Sequence, residues 1–267
     1  MPELPEVETT RRRLEPELAG KRFRGVIIRT PKLRLPIPPE LESVLPGRRV
    51  RTVGRRGKYL LLFCDQGCLV IHLGMTGFLQ MLSRATPAEK SDHVDFVFDD
   101  GRLLRFRDQR KFGTILWTPG DPFDHPLLAG IGPEPLTTAF NGEYLYGASR
   151  SRKVAVKLFI MNAGVVAGIG NIYANEALFR AGIRPDRPAR SLDRAECERL
   201  AATIRQVLTD SIDVGSTYRV AEETVGYHPL EFSVYGREGV ACRGCGGPLE
   251  ATRLGNRGTV FCPRCQR

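Results

Sequence analysis

Two Cys-x-x-Cys pairs, Cys242 with Cys245 and Cys262 with Cys265, lie sixteen residues apart in the last 26 residues of a 267-residue chain. Each pair spans one edge of a tetrahedron, and the stretch between them has hairpin length. Four thiolates leave no vacant coordination position, so the pattern points to one structural Zn2+. A module this short has too small a core to fold without its metal. From Arg237 to Arg267 six arginines stand against two glutamates, with Arg257 midway along the hairpin. Phosphate contact is one use of such a surface, and docking to a protein is another. Cys64, Cys68 and Cys197 stand apart and read as small apolar core residues. The odd total of seven argues against a secreted disulfide framework.

With 42% hydrophobic residues the chain supplies a core easily and is not intrinsically disordered. Lys plus Arg number 40 against 30 Asp plus Glu, a formal charge of +10. That surplus favours a polyanionic partner, although a basic surface kept for solubility would give the same total. No apolar run approaches the roughly 18 residues of a membrane span, and no basic head followed by an apolar stretch opens the sequence. The expectation is a soluble cytoplasmic protein with no membrane partner, acting as a monomer.

Short β-type runs fill the first half: 26–28, 59–63, 69–73, 94–98, 103–106 and 115–117. Gly, Pro and Asp clusters separate them, the spacing of a sandwich or barrel. A helix precedes them, with Val7, Leu14 and Leu18 on one side, Pro5 in the first turn, Glu3 and Glu6 at the positive end, and Gly20 as the stop. The Gly- and Pro-rich segment 130–135 reads as a linker. Helices are expected over 154–161 and 172–180, and again from Asp193, a cap with Glu196 three places on, to Gly215. The fold class is therefore multidomain α+β. An N-terminal β-sandwich with a leading helix spans 1–130, a helical domain 131–235 and a zinc-finger β-hairpin 236–267.

Three further features bear on chemistry. Arg48, Arg49, Arg51, Arg55, Arg56 and Lys58 put six cations into eleven residues without an acid. A charge-protected edge strand carries such a run as readily as a phosphate-binding one does. Gly168-Ile-Gly-Asn171 lies between two helices, where free N–H groups can hold a phosphate and where a tight corner would look the same. Pro2 follows Met1 and permits removal of the initiator, which would leave a secondary amine partly unprotonated near neutral pH and able to attack an electrophilic carbon. Glu3 and Glu6 would then be its proton donor or acceptor, or else simply acids matched to the helix dipole.

Taken together, Met-Pro-Glu-Leu-Pro-Glu-Val-Glu, His72-Leu-Gly-Met-Thr-Gly77, Asp108-Gln-Arg-Lys-Phe-Gly113, Gly168-Ile-Gly-Asn-Ile-Tyr-Ala174 and the four-Cys finger resemble the formamidopyrimidine-DNA glycosylase / endonuclease VIII family. The motifs come in the family's order and span almost the whole chain, and the opening is closer to the first branch than to the second. The resemblance implies a bifunctional glycosylase and AP lyase. It would remove formamidopyrimidines and 8-oxoguanine from damaged double-stranded DNA through a Schiff base on Pro2, followed by β,δ-elimination. Glu3 would shuttle protons and Lys58 would bind the phosphate beside the lesion. Glu6, Lys157 and Thr217 would contact the everted nucleotide. Met75, Arg110 and Phe112 would fill the gap it leaves, with His72 and Lys111 beside them in the interface. Gly170 and Asn171 of a helix-two-turn-helix, and Arg257 of the finger, would clamp phosphates.

Two departures stand out. Lys111 replaces a commonly found Arg, and the stretch 216–227 looks shorter than the family's lesion-capping loop. The second leads us to expect weaker discrimination for 8-oxoguanine than for ring-opened purines. An endonuclease VIII-like enzyme for oxidised pyrimidines and a non-catalytic zinc DNA-binding protein remain the alternative readings at this level.

Overall fold

Pro5, whose missing N–H has no partner to lose in a first turn, and Glu6, facing the positive end of the dipole, start α1 (Leu4–Leu18). The Glu3 N–H donates to Glu6 Oε2 at 2.7 Å, one arm of a capping box. In the computed structural model, which describes residues 2–215 and 231–267, this helix opens the first of two compact units, which runs to Ala129.

Behind α1 come β1 (Phe23–Ile28), a short α2 (Leu41–Val44), β2 (Val50–Arg56), β3 (Tyr59–Cys64), β4 (Cys68–His72), β5 (Phe78–Ser83), β6 (Asp92–Phe98), β7 (Arg102–Arg107), β8 (Thr114–Thr118) and a one-turn α3 (Pro126–Ala129). The strands form two four-stranded antiparallel sheets, in the orders β1-β6-β7-β5 and β2-β3-β4-β8. Val53, Leu60, Leu62, Leu69 and Ile71 of one sheet meet Phe23, Phe96, Phe98, Leu104 and Phe106 of the other in a single core, joined by Val7, Leu14 and Leu18 of α1. This is the sandwich with a leading helix that the sequence pattern predicts. Strand β5 escapes that pattern because Phe-Leu-Gln-Met-Leu-Ser combines residues that suit a helix as well as a strand, with no β-branched residue to decide between them. Its pairing with β7, from Phe78↔Arg107 to Ser83↔Arg102, makes it a strand.

Strand β2 carries the basic run and lies at the edge of its sheet. Its outer backbone groups are taken by α1: Val53 N–H donates to Glu15 Oε2 at 2.5 Å, and Arg11 donates to Val53 O at 3.3 Å. The helix thereby covers an edge that would otherwise be open to pairing.

A buried ion network crosses β6 and β7. Arg105, 3% exposed, donates to both oxygens of Asp95 at 2.8 Å, and its Nη1 lies 3.3 Å from Asp92. Arg107 and Arg29 add further donors, to Asp92 at 2.5 Å and to Asp95 at 2.6 Å.

The second unit, from Gly130 onward, contains α4 (Gly142–Ser149), α5 (Val156–Met161), α6 (Asn171–Ala181), α7 (Arg194–Asp213) and the hairpin β9 (Glu250–Leu254) with β10 (Arg257–Phe261). The α7 cap is the expected one: Glu196 N–H donates to Asp193 at 2.7 Å and Asp193 N–H returns to Glu196 at 3.0 Å. Helix α4 was not apparent in the sequence, since two of its eight residues are glycine. Asn141 caps it by accepting from the Tyr144 N–H at 2.9 Å.

Removing the one cation that faces two buried carboxylates exposes the cost of that network. Arg105→Ala is expected to lower stability by about 3–5 kcal/mol in urea titration, because Asp92 and Asp95 stay buried with fewer partners.

Candidate active site and nucleic-acid interface

Strands β2 and β3 are joined by the two-residue turn Gly57-Lys58. Gly57 has φ +55°, and the following lysine keeps an ordinary φ, the pattern of a type II′ hairpin turn with glycine first. Register then carries this end of the sheet across its strands: Arg56↔Tyr59, Tyr59↔His72 and His72↔Thr114 are successive partners. Lys58, His72 and the entry to β8 therefore share one end of the sheet. Helix α1 runs antiparallel to β2, since Glu15 meets Thr52 and Val53 while Glu8, about two turns earlier, meets Arg55. Its N-terminus, with Pro2 buried and Glu3 and Glu6 each 1% exposed, thus points toward the end that carries Lys58.

Glu8 itself accepts from Arg11 (closest 2.9 Å), from Arg12 at 3.0 Å and from Arg55 at 3.1 Å. Burial pushes its carboxyl up, but hydrogen bonds from Arg11 and Arg55 outweigh this and hold it below the usual carboxylate range.

At the same end of the sheet, two loops are locked to one another by a fully buried carboxylate. Asp108 accepts from Thr76 Oγ1 at 2.5 Å, from Gly113 N–H at 2.8 Å and from Arg110 N–H at 3.3 Å. Its own carbonyl is 2.8 Å from His93 Nε2. The fit is tight enough that a Cβ on Gly74, whose φ is +68°, would lie 2.4 Å from the Phe112 carbonyl carbon. With their bases fixed in this way, the loops turn outward a half-buried Met75 and an exposed Arg110, Lys111 and Phe112. Arg110 stacks over the Phe112 ring at 4.8 Å. A thioether, a flat ring and a guanidinium on one rigid base are what insertion into a base stack requires.

His72 lies behind these loops. Its Nδ1 accepts from Gly74 N–H at 3.0 Å, and its ring packs on Tyr59 at 4.8 Å. Burial, reinforced by the positive charges of Lys58 and Arg34, pulls its pKa down to about 4, so the ring is neutral at physiological pH.

In the second unit, Gly170 forms the N-cap of α6 and Asn171 its first residue. Asn171 Oδ1 is buried with no hydrogen-bond partner among the described residues. Arg257 is exposed at the start of β10. Lys157 is completely buried, and its ammonium donates to Gly258 O at 2.8 Å and Thr259 Oγ1 at 2.7 Å, so it grips the finger hairpin. Asn175 grips the same hairpin by accepting from the Val260 N–H at 3.1 Å.

The sulfur atoms of Cys242, Cys245, Cys262 and Cys265 all lie within 4.8 Å of one another, with the cross pairs at 3.8 Å and 3.5 Å. A tetrahedral zinc at about 2.3 Å from each sulfur demands edges of about 3.8 Å. Backbone N–H groups of Gly244 and Cys265 point at Cys242 Sγ (3.3 Å) and Cys262 Sγ (3.4 Å), which favours thiolates. The residues fit the ion. Among the described residues the adjoining apolar cluster has only Val234 and Leu249 as fully buried aliphatics, so the metal stands in for a core.

The sequence motifs contain most of these groups. Glu8, Thr76 and Asp108 lie inside those motifs and Arg55 inside the basic run, but the motifs give them no individual role, because each acts by holding another residue. Thr217 and the stretch 216–227 lie outside the described residues. No helix among the described residues is long and apolar enough to cross a membrane.

Comparison with known proteins agrees along the whole chain. Residues 1–115 match the formamidopyrimidine-DNA glycosylase N-terminal domain, 131–221 the H2TH domain of the same enzymes, and 241–267 a zinc finger found in FPG and IleRS. The chain is 68% identical over 266 residues to the formamidopyrimidine-DNA glycosylase of Geobacter metallireducens, covering 100% of both. Among solved structures it resembles MutM (Fpg) of Thermus thermophilus, with 39% identity, TM-score 0.88 and 99% and 98% of the two chains covered. It also resembles Lactococcus lactis Fpg in complex with abasic-site DNA, with 32% identity, TM-score 0.92 and 99% of each chain covered.

The His72 geometry sets a pH window. Its affinity for a proton is lower folded than unfolded, so it withdraws stability as pH falls from its ordinary 6.5 to about 4 and adds no further slope below that. In His72→Gln the loss of stability across this window should be shallower than in the parent, as read by urea midpoints at a series of pH values. Stripping the metal with a chelator should unfold the finger, weaken duplex binding and leave the unfolding of the first unit unchanged, as followed by circular dichroism and anisotropy.

Proposed function

This chain belongs to the formamidopyrimidine-DNA glycosylase family, and from that premise we propose how its own residues carry out the family's chemistry. It is a base-excision repair enzyme, a DNA glycosylase and AP lyase for oxidised purines such as formamidopyrimidines and 8-oxoguanine in damaged duplex DNA. It holds one structural zinc ion. DNA as substrate makes the bacterial cytoplasm its place of work.

After removal of Met1, the Pro2 nitrogen attacks C1′ of the everted nucleotide as Glu3 protonates the ring oxygen O4′, and the damaged base departs. The nitrogen lone pair then breaks the C1′–O4′ bond, whose electron pair goes to the oxygen protonated by Glu3, and leaves an open-chain iminium ion at C1′. This makes the C2′ proton acidic, and its removal expels the 3′ phosphate by β-elimination. A second elimination releases the 5′ phosphate. Glu6 helps to orient the sugar or base and Lys58 holds the phosphate beside the lesion. His72 stays neutral and keeps its loop in place. Met75, Arg110 and Phe112 occupy the vacated stack, with Arg110 offering donors to the orphaned base. Lys111, Gly170, Asn171 and Arg257 contact phosphates. Lys157 serves by fastening the hairpin that carries Arg257.

One observation supports this reading above the others. The helix N-terminus bearing Pro2 and two buried carboxylates points toward the end of the sheet that carries Lys58 and the two locked loops.

Borohydride reduction during turnover of an 8-oxoguanine duplex should trap the chain on DNA, with mass spectrometry finding the sugar on residue 2. A version extended by three residues at its N-terminus should bind the duplex and give no adduct. An adduct on any other residue would refute the mechanism.

A further inference from the structure

One buried carboxylate near the catalytic end has no place in the chemistry above. Glu8 lies on α1, two residues past Glu6, and its side chain is 11% exposed. Arg11 and Arg12 belong to its own helix, but Arg55 belongs to β2 and reaches it from the neighbouring sheet at 3.1 Å. The same Arg55 guanidinium donates through Nη1 to the carbonyl of Gly57 at 3.0 Å. Gly57 is the left-handed residue of the turn that presents Lys58. A continuous chain therefore runs from the helix that carries the nucleophile, through Glu8, Arg55 and the Gly57 carbonyl, to the lysine assigned to the phosphate.

We propose that Glu8 and Arg55 are positioning residues that hold the Lys58 turn in fixed relation to the N-terminus of α1. The chemistry makes such a link useful. Attack at C1′ requires the reacting atoms within about 3–3.5 Å, and a misplacement of 1 Å can cost about 100-fold in rate. A two-residue turn fixes its own backbone but not its height above the helix. The guanidinium fork supplies that constraint, since one planar group can satisfy a carboxylate and a carbonyl at once.

The inference rests on the assignment of Pro2 and Lys58 made above, and the test separates the two. Glu8→Gln and Arg55→Gln are each made in the parent and in a Lys58→Ala background. Borohydride trapping rates are read on an 8-oxoguanine duplex, and the salt dependence of binding is read on a duplex containing a tetrahydrofuran abasic analogue. Each variant is expected to slow trapping about tenfold in the parent. Each should also lower the salt slope by about one, as loss of a single phosphate contact does and as Lys58→Ala itself does. In the Lys58→Ala background neither should lower the slope further.

A slowed rate with an unchanged slope, a further loss of slope without Lys58, or unchanged rates would each overturn the proposal. A parent that fails to trap would instead overturn the assignment of the nucleophile. Arg55→Gln leaves Glu8 with Arg11 and Arg12, so it stays folded and reports even if Glu8→Gln unfolds.

Discussion

A helix laid along the edge of a sheet underlies the rest of the catalytic unit. Strand β2 has only one strand neighbour, and its outer N–H and C=O groups at Val53 are satisfied by Glu15 and Arg11 of α1. This solves the edge-strand problem and has a second effect. Side-chain hydrogen bonds to a backbone ladder fix the helix in register and direction, so the first residues of the chain arrive at the end of the sheet where the turns are. An N-terminus left to itself would be among the least ordered parts of a protein. Here it is held by three contacts in series, at Glu15, Arg11 and Glu8.

The distribution of charge follows one logic throughout. The chain carries ten more positive than negative charges, yet several of its buried charged groups are acids that organise loops. Asp108 gathers the backbone of one loop and the hydroxyl of another. Glu176 accepts from three successive backbone N–H groups, of Ser233, Val234 and Tyr235, at 2.8–2.9 Å. Asp92 and Asp95 cross-link two strands through Arg105. A carboxylate is an acceptor of several hydrogen bonds and suits the collection of N–H donors in irregular segments. With acids used inside, cations such as Arg110 and Lys111 in one unit and Arg257 in the other remain exposed, in a chain whose partner is a polyanion.

The finger shows the same division of labour at smaller scale. Four sulfurs supply the cohesion that a few aliphatic residues cannot, and the hairpin is then attached to the helices by Lys157 and Asn175. Arg257 owes its position to that attachment as much as to the metal. The case of Lys157 is instructive. This lysine, on the helix before the glycine turn at 168–171, is fully buried and makes two short donor contacts to the hairpin.

Period and spacing made much of this molecule legible in advance. Short apolar runs bounded by Gly, Pro and Asp marked six of the eight strands of the sandwich, and an apolar helical face with an Asp–Glu cap marked α7. Cysteine spacing alone specified a tetrahedral metal site, and the opening Pro-Glu-Leu-Pro-Glu carried part of the family resemblance. These features are local: each is set by residues a few positions apart, whose geometry follows from helix and strand repeats or from coordination chemistry. What only the tertiary structure decided was which polar residues hold which others. Strand β5 exists because β7 pairs with it, Lys157 is turned inward because a hairpin covers it, and Glu8 reaches Arg55 because a helix and a strand 47 positions apart in the chain run antiparallel. Such contacts depend on long-range register, and side chains that act by holding others carry no signature in composition or spacing.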